Sequence, residues 1–205
     1  MGKLEANKQQ KLTSLLNTAF NLFTTQGVTK TSIAEISQKA GIAKGTFYLY
    51  FKDKYDIISR LISHESSKLF KNAVADLEEF SKEKNEQLGF EEKIIFIINH
   101  IVDELNSNQT LLTFISKNLS WGIFKEALTT KVASDDINFK DVYYEMINAE
   151  DISLEEPEIM LFLIVELVSS TCYSAILYKE PADIDTIKPY LFKTVRAIIK
   201  EHTIR

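Results

Sequence analysis

Cysteine is almost absent from this chain. Cys172 is the only one among 205 residues, so no intrachain disulfide can form and a disulfide-stapled scaffold is excluded. Proline occurs only at Pro157, Pro181 and Pro189, and there are six glycines. So few turn formers, with no useful run alternating at period two, exclude a strand-rich sandwich or barrel and leave an all-α fold as the expectation. The three histidines, His64, His100 and His202, have no metal-ligand spacing among themselves or with Cys172. Neither a metal nor a cofactor is therefore expected. A phosphate-cradling glycine loop and a nucleophile elbow are also missing. Acidic pairs such as Glu91-Glu92 and Glu155-Glu156 stand at expected helix starts, where they complement the helix dipole. These absences speak against an enzyme. The opening MGKLEANKQQ has no cleavable leader pattern, which together with the lone thiol gives the expectation of a reduced, cytoplasmic protein.

One apolar run, IMLFLIVELVSSTCYSAILY at 159–178, approaches membrane-spanning length. It carries Glu166 and a Ser169-Ser170-Thr171 break in its middle, so a buried helix and not a membrane span is expected. Charge is distributed unevenly. Residues 1–60 hold nine Lys or Arg against four Asp or Glu, a balance of +5, whereas residues 61–205 hold fifteen against twenty-five, a balance of −10. A basic first third can neutralise a polyanion that the acidic remainder repels.

Periodicity supplies the helices. Leu12, Leu15, Leu16, Ala19, Phe20 and Phe23 repeat at the three-and-four spacing of one buried face, and Gly27 follows as a stop. Ser32-Ile33-Ala34-Glu35 fits a capping box that opens a short helix at about 33–40, ended by Gly41. A third short helix at about 44–50 and a long one from about 54 come next. Residues 89–105 form a helix with Ile94, Ile97, Ile98, Ile101, Val102 and Leu105 inward. Shorter helices are expected at 109–118, 121–131 and 139–148. Ser153-Leu154-Glu155-Glu156 reads as a second capping box before the apolar helix, and residues 184–202 make the last one.

Two short helices joined by a tight turn at Gly41, with a supporting helix before them, have the dimensions of a helix-turn-helix. In such a unit the second short helix enters the major groove of DNA. Phe47 and Phe51, four apart, turn inward, while Lys44, Thr46, Tyr48 and Tyr50 face outward. A lysine reaches a phosphate or a guanine edge, a threonine hydroxyl takes a phosphate oxygen, and a tyrosine offers a rigid apolar plate with a phenolic hydrogen bond.

These residues carry a resemblance. The segment TSIAEISQKAGIAKGTFYLYFKDKYDII, at 31–58, resembles the DNA-binding signature of the TetR family of transcriptional regulators, through its glycine turn, Gly-Thr-aromatic-Tyr core, Tyr-Phe pair and following lysine. The resemblance implies an N-terminal three-helix DNA-binding domain at 1–53. A larger helical domain at 54–205 would bind an effector and dimerise. It also implies a DNA-facing set: Thr31 and Ser32 on phosphate, Lys44, Gly45, Thr46, Tyr48 and Tyr50 toward DNA, and Lys54 clamping a phosphate. Ala43 departs from the Ser or Thr cap common in the family, and Ala34 from a longer polar side chain found in some relatives.

For the remainder, the resemblance implies a homodimer through the last two helices and a small-molecule effector in a helical pocket. Phe96, His100, Phe114, Trp121, Phe124 and Tyr144 are the candidate lining residues, each also readable as plain core. The functional expectation is a repressor released from a near-palindromic operator by that effector. The alternative is a DNA-binding protein that a protein partner controls, or that acts architecturally, without an effector.

Overall fold

The computed structural model describes residues 3–84, 87–118, 132, 138–150 and 152–204. Among them every regular element is a helix: α1 (Lys3–Thr25), α2 (Ile33–Lys39), α3 (Lys44–Phe47), α4 (Lys54–Lys84), α5 (Phe90–Ser107), α6 (Gln109–Asn118), α7 (Phe139–Ala149), α8 (Pro157–Leu177) and α9 (Ile184–His202). The all-α expectation holds. The helix expected at 121–131 lies outside the described residues.

The described residues form two compact units, 3–67 and 68–117 with 138–204, and α4 contributes to both. In the first unit α1 buries Leu15, Leu16, Ala19, Leu22 and Phe23, while Leu12 and Phe20 are half-buried at the margin of that face. Ile36 of α2, Phe47 of α3 and Ile57, Leu61 and Ile62 of α4 complete this core, each at most 1% exposed. Gly41 adopts φ +69° at the end of α2. Its N–H donates to Gln38 O at 3.1 Å and the Ile42 N–H to Ser37 O at 2.9 Å, the paired bonds of a Schellman turn. A residue with a Cβ at this φ costs about 1–2 kcal/mol, so the turn between the two short helices depends on glycine. Ser14 donates to the Ala40 carbonyl at 3.2 Å and ties the turn to α1.

In the second unit, α5 packs against α8 and α9, which also pack on each other. The α5 stripe Phe90, Ile94, Ile97, Ile98, Val102 and Leu105 is buried, whereas Ile101 is half-buried. Glu150 reaches across from the end of α7 to cap α5: its carboxylate accepts from the Phe90 N–H and, at 2.5 Å, from Lys93 Nζ. Cys172 is fully buried, and burial pushes its thiol up to about 12, so it stays neutral and packs as a small apolar group.

The opening of α8 differs from expectation. The helix starts at Pro157 behind Glu156, whose φ of +46° is left-handed, and no side chain caps it. The physical reason is non-local. Residues 153–155 run extended against the end of α9, with Glu155 N–H donating to His202 O at 2.7 Å and Ile204 N–H to Ser153 O at 2.9 Å. Leu154 and Thr203 form an antiparallel bridge there. A backbone already paired in this way cannot coil into a capping box.

α8 is also the one described helix long and apolar enough to cross a membrane, with mean hydropathy 1.9. It buries Met160, Leu161, Ile164, Cys172, Ala175 and Ile176 within this unit. Ile159 and Leu163 stay 50% and 43% exposed, followed on the same face by exposed Glu166 and Ser170.

Candidate nucleic-acid interface

The interface is built from the α2 cap through the start of α4. Ser32 is exposed in extended backbone, and its hydroxyl accepts the Glu35 N–H at 3.1 Å. Glu35 is held below the usual carboxylate range, first by the Gln26 amide, which donates at 2.9 Å, then by Lys39. Of the expected capping box, the Ser32 hydroxyl's bond to the Glu35 N–H is the half present, while the Glu35 carboxylate is turned to Gln26 and Lys39.

α3 spans only four residues, shorter than the helix expected at 44–50. Ala43 stands at its N-cap in extended backbone and supplies no side-chain bond, so only its carbonyl serves the helix, accepting from Thr46 N–H at 2.8 Å. Beyond Phe47 the chain tightens into short turns: Leu49 N–H donates to Thr46 O at 3.1 Å and Tyr50 N–H to Phe47 O at 2.9 Å. Two buried aromatics fix the segment. Phe47 and Phe51 are 0% and 1% exposed with ring centroids 5.3 Å apart, and the Arg60 guanidinium lies 5.5 Å over the Phe51 ring.

Opposite these anchors, Lys44, Gly45 and Tyr48 are exposed, and Thr46 and Tyr50 are half-buried. Tyr48 is held edge-on to Phe47 at 5.5 Å. Sequence reasoning passed over Leu49, which is 81% exposed. The signal was available, since position 49 falls between two inward phenylalanines at 47 and 51, on the far side of the turn.

Two expected phosphate contacts need correction. Thr31 is 1% exposed and its hydroxyl donates to Gly27 O at 2.8 Å, because the α1–α2 turn folds it inward. Only Ser32 of that pair presents its side chain. Lys54 is half-buried, and its ammonium donates to the carbonyls of Val28 at 2.9 Å and Thr31 at 3.2 Å. The lysine is thus an internal clamp from α4 to the turn before α2. Asp53 caps α4 itself, accepting from Tyr55 and Asp56 N–H at 2.7 and 2.9 Å.

This clamp is testable. Lys54→Met keeps the stem and strands two carbonyls, and is expected to lower unfolding free energy by about 1–3 kcal/mol in urea titrations. A variant as stable as the parent would show that water replaces the ammonium without cost.

The expected effector residues come together only in part. Phe96 and His100 share an open depression of about 390 Å³ along α5 with Asn99, Asp103, Glu104 and Ser107. Phe96 packs on Phe80 at 5.3 Å. His100 sets Nδ1 3.0 Å from Asp76 and Nε2 3.4 Å from Glu104. Phe114 is buried on α6, and Tyr144 lies edge-on to Tyr143 at 5.5 Å; neither lines the depression. Trp121 and Phe124 lie outside the described residues.

A glycine-turned pair of short helices on a supporting helix, with polar and aromatic side chains outward from a fixed core, defines a helix-turn-helix DNA-binding unit. Residues 15–61 match the family model described as bacterial regulatory proteins, tetR family. The HTH-type transcriptional regulator AcrR of Shigella flexneri is 39% identical over 59 residues, which are 29% of this chain and 27% of AcrR. The similarity to that relative therefore spans about a quarter of its length. The fold similarity extends further. A tetR family transcription regulator from Shewanella sp. PV-4 aligns at TM-score 0.66 and 15% identity over 95% of this chain and 99% of its own. FadR of Bacillus subtilis, solved in complex with stearoyl-CoA, aligns at TM-score 0.61 and 18% identity over 91% and 98%.

Proposed function

We propose that the chain is a homodimeric transcriptional regulator, a repressor released from a near-palindromic operator when a small molecule binds its larger helical domain. The observation that carries the reading is the fixed recognition segment, in which buried Phe47 and Phe51 leave Lys44, Gly45 and Tyr48 outward. Ser32, Thr46 and Tyr50 complete the proposed DNA-facing set. Residues 1–53 are assigned to DNA binding, and 54–205 to effector binding and dimerisation, in the cytoplasm. Dimerisation is assigned to α8 and α9. Its support is the exposed α8 face at Ile159 and Leu163 and, on α9, Tyr190 at 71% exposure. The effector assignment is supported by the shared fold of the stearoyl-CoA-bound FadR. Effector and operator would be coupled reciprocally, typically by ~1–3 kcal/mol, with α4 continuous from one assigned function to the other.

Selection of duplexes from a random pool by the purified protein, with Tyr48→Ala alongside, tests this. The expected result is an enriched near-palindrome that Tyr48→Ala binds ~1–3 kcal/mol more weakly. Failure of the parent to enrich any sequence would overturn the reading.

A second reading, regulation by a protein partner without an effector, is favoured by one observation. Of the four candidate pocket residues among the described ones, Phe96 and His100 share the α5 depression and Phe114 and Tyr144 do not. Thermal shifts on adding long-chain acyl-CoA and other apolar ligands would support the effector, and uniform silence the partner.

A further inference from the structure

Leu49 is an unusual occupant of its place. It is 81% exposed, well above Tyr48 at 51%, so packing among the described residues does not account for an aliphatic side chain there. Its backbone is nonetheless rigidly held. The N–H is bonded to Thr46 O at 3.1 Å, and the next two residues donate to the carbonyl of Phe47, which is fully buried. The segment cannot turn to hide the leucine without pulling Phe47 and Phe51 from the core. An isobutyl group has no donor or acceptor for a phosphate, a sugar or a polar base edge. In the major groove, the apolar feature that distinguishes one base pair from another is the C5-methyl of thymine.

We propose that Leu49 is a specificity-determining residue that reads a thymine by contact with its 5-methyl group. This rests on the DNA-binding reading above and deepens it. Tyr48 and Leu49 then divide the work. The tyrosine supplies a plate and a hydroxyl, and the leucine supplies methyl contact alone. Leu49 therefore selects thymine against cytosine, which has no 5-methyl, and disfavours a polar purine edge at the same step.

Deoxyuridine tests the contact directly, since it differs from thymidine only in lacking the methyl. Each thymine of the selected operator is replaced in turn by deoxyuridine, and binding is measured for the parent, Leu49→Ala and Tyr48→Ala. One position in each half-site is expected to weaken the parent roughly fivefold, as the loss of a buried methyl does. Leu49→Ala should bind both duplexes equally, whereas Tyr48→Ala should keep the fivefold difference. Because Leu49 is exposed, its alanine variant should unfold at the parent's temperature.

If the parent binds its operator but no deoxyuridine effect disappears in Leu49→Ala, the inference is overturned while DNA binding stands. If selection yields no operator at all, the DNA-binding reading fails and takes this inference with it.

Discussion

Leu163→Glu is expected to turn the proposed dimer into a monomer and to lower affinity for the proposed operator by at least a hundredfold. Leu163 and Ile159 are 43% and 50% exposed, one turn apart, on a helix that buries Met160, Leu161 and Ile164 and leaves Phe162, Val165, Leu167 and Val168 half-buried. In a two-fold interface each substitution occurs twice. An unpaired carboxylate removed from water costs roughly 3–5 kcal/mol, so two of them remove most of what a standard dimer interface provides. A palindromic operator binds the dimer because both recognition segments engage at once, and a monomer loses that joint engagement. Sedimentation at micromolar protein reads the outcome. A Leu163→Glu protein that still sediments as a dimer would move the interface away from α8.

The second large effect is expected at Phe47. Phe47→Ala removes a fully buried ring that packs on Phe51 at 5.3 Å and carries Tyr48 on its edge. Truncating a core phenylalanine costs about 3–5 kcal/mol, a large part of the ~5–15 kcal/mol that holds a whole domain. Binding to the proposed operator should be abolished at physiological temperature, whereas the sedimentation coefficient should stay that of the parent. Phe47→Leu should recover most of both stability and binding, since it refills most of the volume. If Phe47→Ala bound its operator normally, the anchoring role of this ring would be wrong.

The parts of the fold that were legible in the sequence are those governed by neighbours in the chain. The α5 stripe follows from apolar spacing, the stops at Gly27 and Gly41 from residues that accept left-handed backbone, and Phe47 and Phe51 from their four-residue separation. What could not be read depends on distant partners. Thr31 looked free because its burial is set by the turn at Gly27, and Lys54 because the carbonyls it meets lie 23 and 26 residues away. The Ser153 capping pattern was locally sound and lost to pairing with the end of α9. α8 is apolar nearly all round, so periodicity could not say which face it buries. Pocket and core present the same apolar signal, and Phe114, buried on α6, fits either from the sequence.

The continuity of α4 sets a rule for anyone recombining such regulators. Its 31 residues contain neither glycine nor proline and extend roughly 45 Å. A chimaera joined within it has no loop to absorb an error. Each residue inserted or deleted at the joint turns everything beyond by about 100° and shifts it by about 1.5 Å. Changes of seven or eleven residues come within about 20° of the original facing, so grafts joined here should succeed or fail with the 3.6-residue repeat in linker length.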